Sequence, residues 1–386
     1  MADRHGPDRS GETILTNAVL VLPDALLRGT VLLRDGRIAD VQPNTSASDG
    51  AVDVAGDYLL PGIVDLHSDN LERQAQPRST ARWPSRSALV AHDAQCAAAG
   101  ITTVLDALCV GNNPGFDEGR LRTFREGVAD LDAMADTGLL KAEHFLHLRC
   151  EIAAADMLAL FEPVAKHPLV RLVSLMDHCP GFGQYADLDR YRALRRHEGV
   201  ADAAIERHIA DARAERARTL GANRRAVLAR MAGRGVALAS HDDRTAAEVA
   251  ENAADGIRIS EFPVTMPAAE AARAHGMQIV VGAPNMVRGG SHSGNVAAAD
   301  LLRAGAVDAF ASDYVPASLV EAAFLSVDAI SLPQAVALVT HRPARLAGFA
   351  DRGRIAAGMR ADLVRVRVHE NLPLVRAVWR GGERVA

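Results

Sequence analysis

Leu59-Leu60-Pro61-Gly62-Ile63-Val64-Asp65-Leu66-His67-Ser68-Asp69-Asn70 is the stretch on which the reading of this chain turns. Its Pro-Gly turn feeds a short apolar run, Ile63 to Leu66, with the length and composition of a buried strand. The run stops at His67-x-Asp69. Side chains two apart on a strand share a face, so this spacing offers an imidazole nitrogen and a carboxylate oxygen to one metal ion. A lone His-x-Asp is more often a hydrogen-bonded pair than a metal site, and only ligands at other strand ends separate the two readings.

Outward from this stretch the pattern divides. Before it, Thr13 to Leu22, Thr30 to Arg34 and Arg37 to Val41 are short β-type runs, and Asp35-Gly36 is a hairpin signal. The carboxyl terminus has the same character, from Asp362-Leu363-Val364 to Val385, which predicts a small β-sandwich built from both chain ends, residues 1–57 and 345–386. Between them, residues 58–344 alternate strands with Ala-rich amphipathic helices. After the first strand, the expected ones are Ile101 to Leu108, Phe145 to Glu151, Val170 to Asp177, Val236 to Ser240, Gly256 to Glu261, Gln278 to Gly282 and Val307 to Ala311. Eight parallel β-α units close a barrel, so the fold class is α/β, a TIM-like (β/α)8 barrel whose chemistry belongs at the carboxyl ends of its strands. The longer connection from about Asp187 to Arg234 is dense in Ala, Arg and Glu and reads as helices with solvated charged faces.

Composition narrows the function classes. A chain of 386 residues, 48% hydrophobic and 24% charged, can bury a large core. Its net charge of -5 gives no general attraction for nucleic acid or an anionic membrane, so an anionic ligand must be held locally. Cys96, Cys109, Cys150 and Cys179 lack CxxC spacing and lie in or beside apolar segments, as reduced buried thiols do. The amino terminus has no apolar signal core and no long apolar run predicts a membrane span. The expectation is a cytoplasmic protein acting on a small molecule, with homo-oligomer formation left open.

Other strand ends carry further ligand types. The third expected strand ends His147-Leu148-Arg149-Cys150-Glu151, the fourth Met176-Asp177-His178, the fifth Ser240-His241-Asp242-Asp243 and the eighth Ser312-Asp313-Tyr314. His67, Asp69, Glu151, His178, His241 and Asp313 at one end of one barrel predict a hydrolytic site with one or two divalent metals. Such ligands suit zinc best, with manganese, iron and nickel as alternatives.

This combination resembles the amidohydrolase superfamily of metal-dependent hydrolases. In that superfamily a carboxylated lysine often bridges two metals; the lysines here, Lys141 and Lys166, both precede an expected strand, which leaves Glu151 as the bridging ligand the resemblance implies. The segments Leu60 to Glu72, Ala142 to Glu151, Ser174 to His178, Ala239 to Asp243, Gly282 to Asn295 and Ser312 to Ser318 resemble one branch more closely, the PhnM family of the carbon-phosphorus lyase pathway. Pro77-Arg78 and Trp83-Pro84 fit that branch, whereas Pro180-Gly181-Phe182-Gly183-Gln184 is a variant of its Pro-Gly-Gln turn. The resemblance implies hydrolysis of α-D-ribose 1-methylphosphonate 5-triphosphate to the 5-phosphate and pyrophosphate, with Asp313 as general acid/base and metal ligand. It also gives the loop after the seventh strand a task. Asn285, Arg288, Gly289, Gly290, Ser291 and His292 offer a guanidinium, polar side chains and glycine N-H groups to phosphate, and Arg149, Arg73 and Arg78 are further candidates. The metal ligands alone also suit an amide or cyclic imide substrate, and a barrel can persist as a non-catalytic scaffold, but the Arg288 loop favours phosphate and the full ligand set favours catalysis.

Overall fold

The computed structural model describes residues 11–78, 80–111, 118–291 and 293–386. The chain begins with β1 (Thr13–Val21), β2 (Leu26–Arg34), β3 (Arg37–Pro43), β4 (Val52–Asp53) and β5 (Tyr58–Pro61). Asp35 and Gly36 join β2 to β3 with φ of 51° and 75°, the pair of positive angles that a two-residue type I′ turn requires.

Eight strands follow: β6 (Ile63–Ser68), β7 (Ile101–Val110), β8 (Glu143–Glu151), β9 (Val170–Met176), β10 (Ala237–His241), β11 (Ile259–Glu261), β12 (Gln278–Gly282) and β13 (Ala309–Ala311). Each pairs in parallel with the next. The ring closes where Ser68 bridges Asp313: Asp69 N-H donates to the Asp313 carbonyl at 2.7 Å and Asp313 N-H to the His67 carbonyl at 2.9 Å. All eight expected barrel strands are present, with β11 and β13 starting later than the apolar runs that signalled them. Every residue of β7 is buried, because helices cover one face and the barrel interior the other.

The barrel interior explains where the site lies. Leu66, Leu105, Phe145, Leu172, Ala239, Ile259, Val280 and Ala309, one from each strand, form a single apolar cluster. Side chains alternate along a strand, so the next inward position is two residues further on, nearer the carboxyl end. Those positions are His147 on β8, His241 on β10, Glu261 on β11 and Gly282 on β12. The apolar layer is therefore a floor beneath a polar one.

The chain ends with β14 (Leu363–His369), β15 (Leu372–Arg380) and β16 (Glu383–Arg384). Strands from both ends share one sheet in the order β16-β15-β14-β5-β1-β2-β3, with β4 beside β1, around Leu15, Val31, Ile38, Leu363 and Trp379. Gly62 is the joint between this sheet and the barrel; its N-H donates to the Asp362 carbonyl at 2.7 Å, and a Cβ there would overlap Thr102 and Asp362. The long connection forms helices Leu188–His197 and Asp202–Met231. Exposed pairs such as Arg196–Asp202 and Arg230–Glu162 line their outer faces, while Arg216 pairs with Asp177 at 2.6 Å and stacks on Phe182. Among the described residues, no helix is long and apolar enough to cross a membrane.

Candidate active site

His67 reaches the cavity through a local irregularity. The β6–β7 register shifts between Asp65 and Ser68, and Asp65 Oδ1 accepts the backbone N-H groups of His67 (3.2 Å) and Ser312 (3.0 Å). Such a shift re-aims a side chain that strict alternation would turn outward. The His67 ring then lies edge-on to His147 and roughly parallel to His241, with centroids 5.0 and 5.8 Å away.

Three histidines are oriented by carboxylates behind them. Glu261 takes His67 Nδ1 on one oxygen (2.8 Å) and His241 Nδ1 on the other (2.7 Å), and Glu151 Oε2 takes His178 Nδ1 at 2.9 Å. A proton held at Nδ1 leaves the Nε2 lone pair for a metal, the usual arrangement behind a metal-binding imidazole. His67 Nε2, His178 Nε2 and Asp242 Oδ2 are all buried without a hydrogen-bond partner. Asp242 Oδ2 lies 3.6 Å from His178 Nε2 and 3.5 Å from His241 Nε2, while His67, Asp69 and Asp313 gather ligand atoms alongside. Buried polar atoms left unpaired are costly, and donors of this chemistry fit a divalent cation. This is a divalent-metal site.

Two other groups of similar residues do not share that feature. His147 spends Nδ1 on the Leu66 carbonyl and Nε2 on Ser174 Oγ. Behind β7, Asp106 holds His92 Nε2 at 2.6 Å and His144 Nδ1 at 2.8 Å, and His144 Nε2 meets Asp93. These are satisfied hydrogen-bond networks.

The bridging role expected of Glu151 does not fit its geometry. Besides His178 Nδ1, it accepts the His178 backbone N-H on Oε1 at 3.0 Å, so both oxygens face one residue, and Asp242 stands where a carboxylate meets two imidazoles. Glu261 and Asp242 were missed in the sequence. Glu261 ends the sixth barrel strand and Asp242 follows His241, so a search of every strand exit would have found them; what no spacing reveals is that one carboxylate serves two histidines from different strands.

Charge at the site follows from burial and neighbours. With no metal bound, burial opposes a charge on His67, but Glu261 and Asp69 outweigh it and hold the imidazole up at about 10. Burial and the Asp69 charge push Asp313 up to about 7. Asp69 itself is held low, because the Arg149 guanidinium at 2.7 Å and His67 overcome its burial.

A cavity of about 300 Å³ opens over these residues, lined also by Arg120, Arg149, Tyr185, Arg288, Gly290 and Ser291. Arg149, Arg288, Gly290, Ser291 and Asn285 thus line this cavity, although Asn285 spends both ends of its amide on Val296 and Ala298. Gly289 and Arg78 do not line the cavity; Arg78 bridges Ala81 in its own loop. Arg73 also stays outside, donating to the Tyr314 carbonyl at 2.7 Å. His292 lies outside the described residues. Arg120, not foreseen, follows the second barrel strand and meets Glu72 at 3.2 Å.

Comparison with known proteins agrees with this geometry. Residues 202–386 match the model of the amidohydrolase family. The Escherichia coli (strain K12) alpha-D-ribose 1-methylphosphonate 5-triphosphate diphosphatase is 43% identical over 378 residues, which cover 96% of this chain and 100% of that protein. The chain belongs to this diphosphatase family, within the amidohydrolases. A shorter match, 28% identical over 98 residues, links 25% of the chain to 20% of an L-hydantoinase from Paenarthrobacter aurescens. Among solved structures, N-acetyl-D-glucosamine-6-phosphate deacetylase from Mycobacterium smegmatis shares the fold with a TM-score of 0.62 at 19% identity, over 97% of this chain and 100% of that one. Dihydropyrimidinase from Brevibacillus agri gives 0.61 at 15% identity, over 97% and 95%. The diphosphatase family accounts for the site as built: a metal-dependent hydrolase whose cavity joins carboxylate-backed histidines to arginines.

Proposed function

We propose that this chain hydrolyses α-D-ribose 1-methylphosphonate 5-triphosphate to the 5-phosphate and pyrophosphate, with zinc as the preferred metal and manganese, iron or nickel as substitutes. The observation that carries the reading is the convergence of buried, unpartnered His67 Nε2, His178 Nε2 and Asp242 Oδ2 in a cavity that also holds Arg149 and Arg288. His67, Asp69, His178, His241, Asp242 and Asp313 would hold one or two ions, and Glu151 and Glu261 act through the histidines they orient. A bound divalent ion lowers the pKa of water towards about 7 and offsets charge on the phosphoryl oxygens.

The remaining work falls to the protein. Water oxygen bonds to the α-phosphorus as the bond from that phosphorus to the bridging oxygen breaks, and pyrophosphate departs with the bonding pair. Asp313, at the exit of the eighth barrel strand beside Asp69 and His67, is placed to accept the water proton. Arg288, with the Gly290 and Ser291 backbone, is placed to hold phosphate oxygens. Four buried free thiols support a reducing cytoplasmic setting.

Phosphorus NMR of zinc-loaded protein with this triphosphate is the direct test, with Asp313→Asn alongside. Pyrophosphate is expected from the wild type, with a rate loss of about 100-fold or more in the variant. Intact triphosphate after incubation with a demonstrably metal-loaded wild type would overturn the reading, and hydrolysis of a hydantoin by the same sample would replace it.

A further inference from the structure

Resting on that functional reading, we propose that Arg120 and Arg149 form a second anion subsite, which takes the phosphonate at C1 of the ribose while the Arg288 loop takes the triphosphate. The substrate carries anions at both ends of the sugar, and the cavity carries cations on two sides. Arg120 follows β7, the second barrel strand, and Arg149 lies on β8, the third; Arg288 follows β12, the seventh. Between these two groups around the rim stand β13 and β6, whose exits carry Asp313 and Asp69. An α-phosphate at the metal site those carboxylates help to form therefore has arginines on either hand.

The second wall is built to hold a charge in place. Arg149 is buried, with one nitrogen fixed on Asp69 at 2.7 Å and its Nε without a hydrogen-bond partner. Arg120 Nε rests against Glu72 Oε2 at 3.2 Å, and Glu72 belongs to the same short helix, Asn70–Ala75, that Asp69 precedes. The ion pair thus ties the Arg120 guanidinium to the element that carries a metal ligand. A planar guanidinium beside a second one suits the oxygens of a phosphonate ester better than the single cation of a lysine would.

The test compares α-D-ribose 1-methylphosphonate 5-triphosphate with the methyl riboside 5-triphosphate, which keeps the triphosphate and has no charge at C1. The wild type should prefer the phosphonate in kcat/KM, and Arg120→Gln should cut that preference about tenfold or more, mainly through KM, with partial recovery in Arg120→Lys. An unchanged preference, whether both substrates weaken together or neither does, overturns the subsite. If the variants fail to fold, product inhibition of the wild type decides: the phosphonate-bearing 5-phosphate must inhibit hydrolysis of the methyl riboside more strongly than the methyl riboside 5-phosphate does, and equal inhibition overturns the proposal. A metal-loaded wild type that hydrolyses neither triphosphate would instead sink the diphosphatase reading itself.

Discussion

Glu261 stands behind two histidines of the metal site at once. Its two oxygens fix His67 and His241 in one stroke, so Glu261→Gln should weaken zinc binding by about 10- to 100-fold, as loss of such a partner does elsewhere; a competition titration against a chelating dye measures it. Asp313 shows the opposite economy. In the metal-free protein its carboxyl sits near 7 against an ordinary 3.8, raised by burial and then by Asp69. A raised carboxyl leaves the folded state fully favoured below about 4 and progressively disfavoured as pH climbs through 7. With metal chelated, Asp313→Asn should therefore melt at a higher temperature than the wild type at pH 8, and the gap should close near pH 4. A constant gap across that range would show that Asp313 is not the group responsible.

At the scale of elements, three strand exits are turned by residues other than glycine in the left-handed region: Asp242 after β10 (φ 57°), Phe262 after β11 (φ 55°) and Asp313 after β13 (φ 54°). Two of them, Asp242 and Asp313, are carboxylates of the candidate metal clusters. Backbone strain at the site is thus accepted where it aims a functional side chain, and the packed barrel beneath supports it. The outer face of β7 carries a different device. Asp106 joins helix Ser85–Ala98 to β8 through His92 and His144, all buried. Burial opposes charge on both partners, but their mutual attraction wins, placing Asp106 at about 2 and His144 at about 9. The stabilisation from Asp106 is present above about 4 and fades as pH falls through 2; that from His144 is present below about 6.5 and fades as pH rises through 9. Asp106→Asn should cost about 3–5 kcal/mol in urea unfolding at pH 6, and less at pH 10, where His144 is already neutral.

For the whole molecule, Gly62 is where the terminal sheet and the barrel meet. Gly62→Ala would drive a methyl group into Thr102 and Asp362, and a cost of about 1–3 kcal/mol is expected in thermal unfolding. The larger architecture was legible in the chain. Eight apolar runs spaced by helices have few ways to bury themselves, and local periodicity with the Asp35-Gly36 and Pro61-Gly62 turns determined the barrel and its companion sheet. The ligand types at strand exits were equally local, so His67, Asp69, His178, His241 and Asp313 could be put forward as candidates from spacing. Tertiary structure decided the rest. Only the closed ring brings Glu261 behind two histidines, turns Glu151 to His178 and lets Asp242 approach two imidazoles, and only the cavity sorts Arg120, Arg149 and Arg288 from Arg73 and Arg78. Periodicity along one strand fixes which face a side chain takes, whereas the partner it meets depends on how separate strands are registered around the barrel.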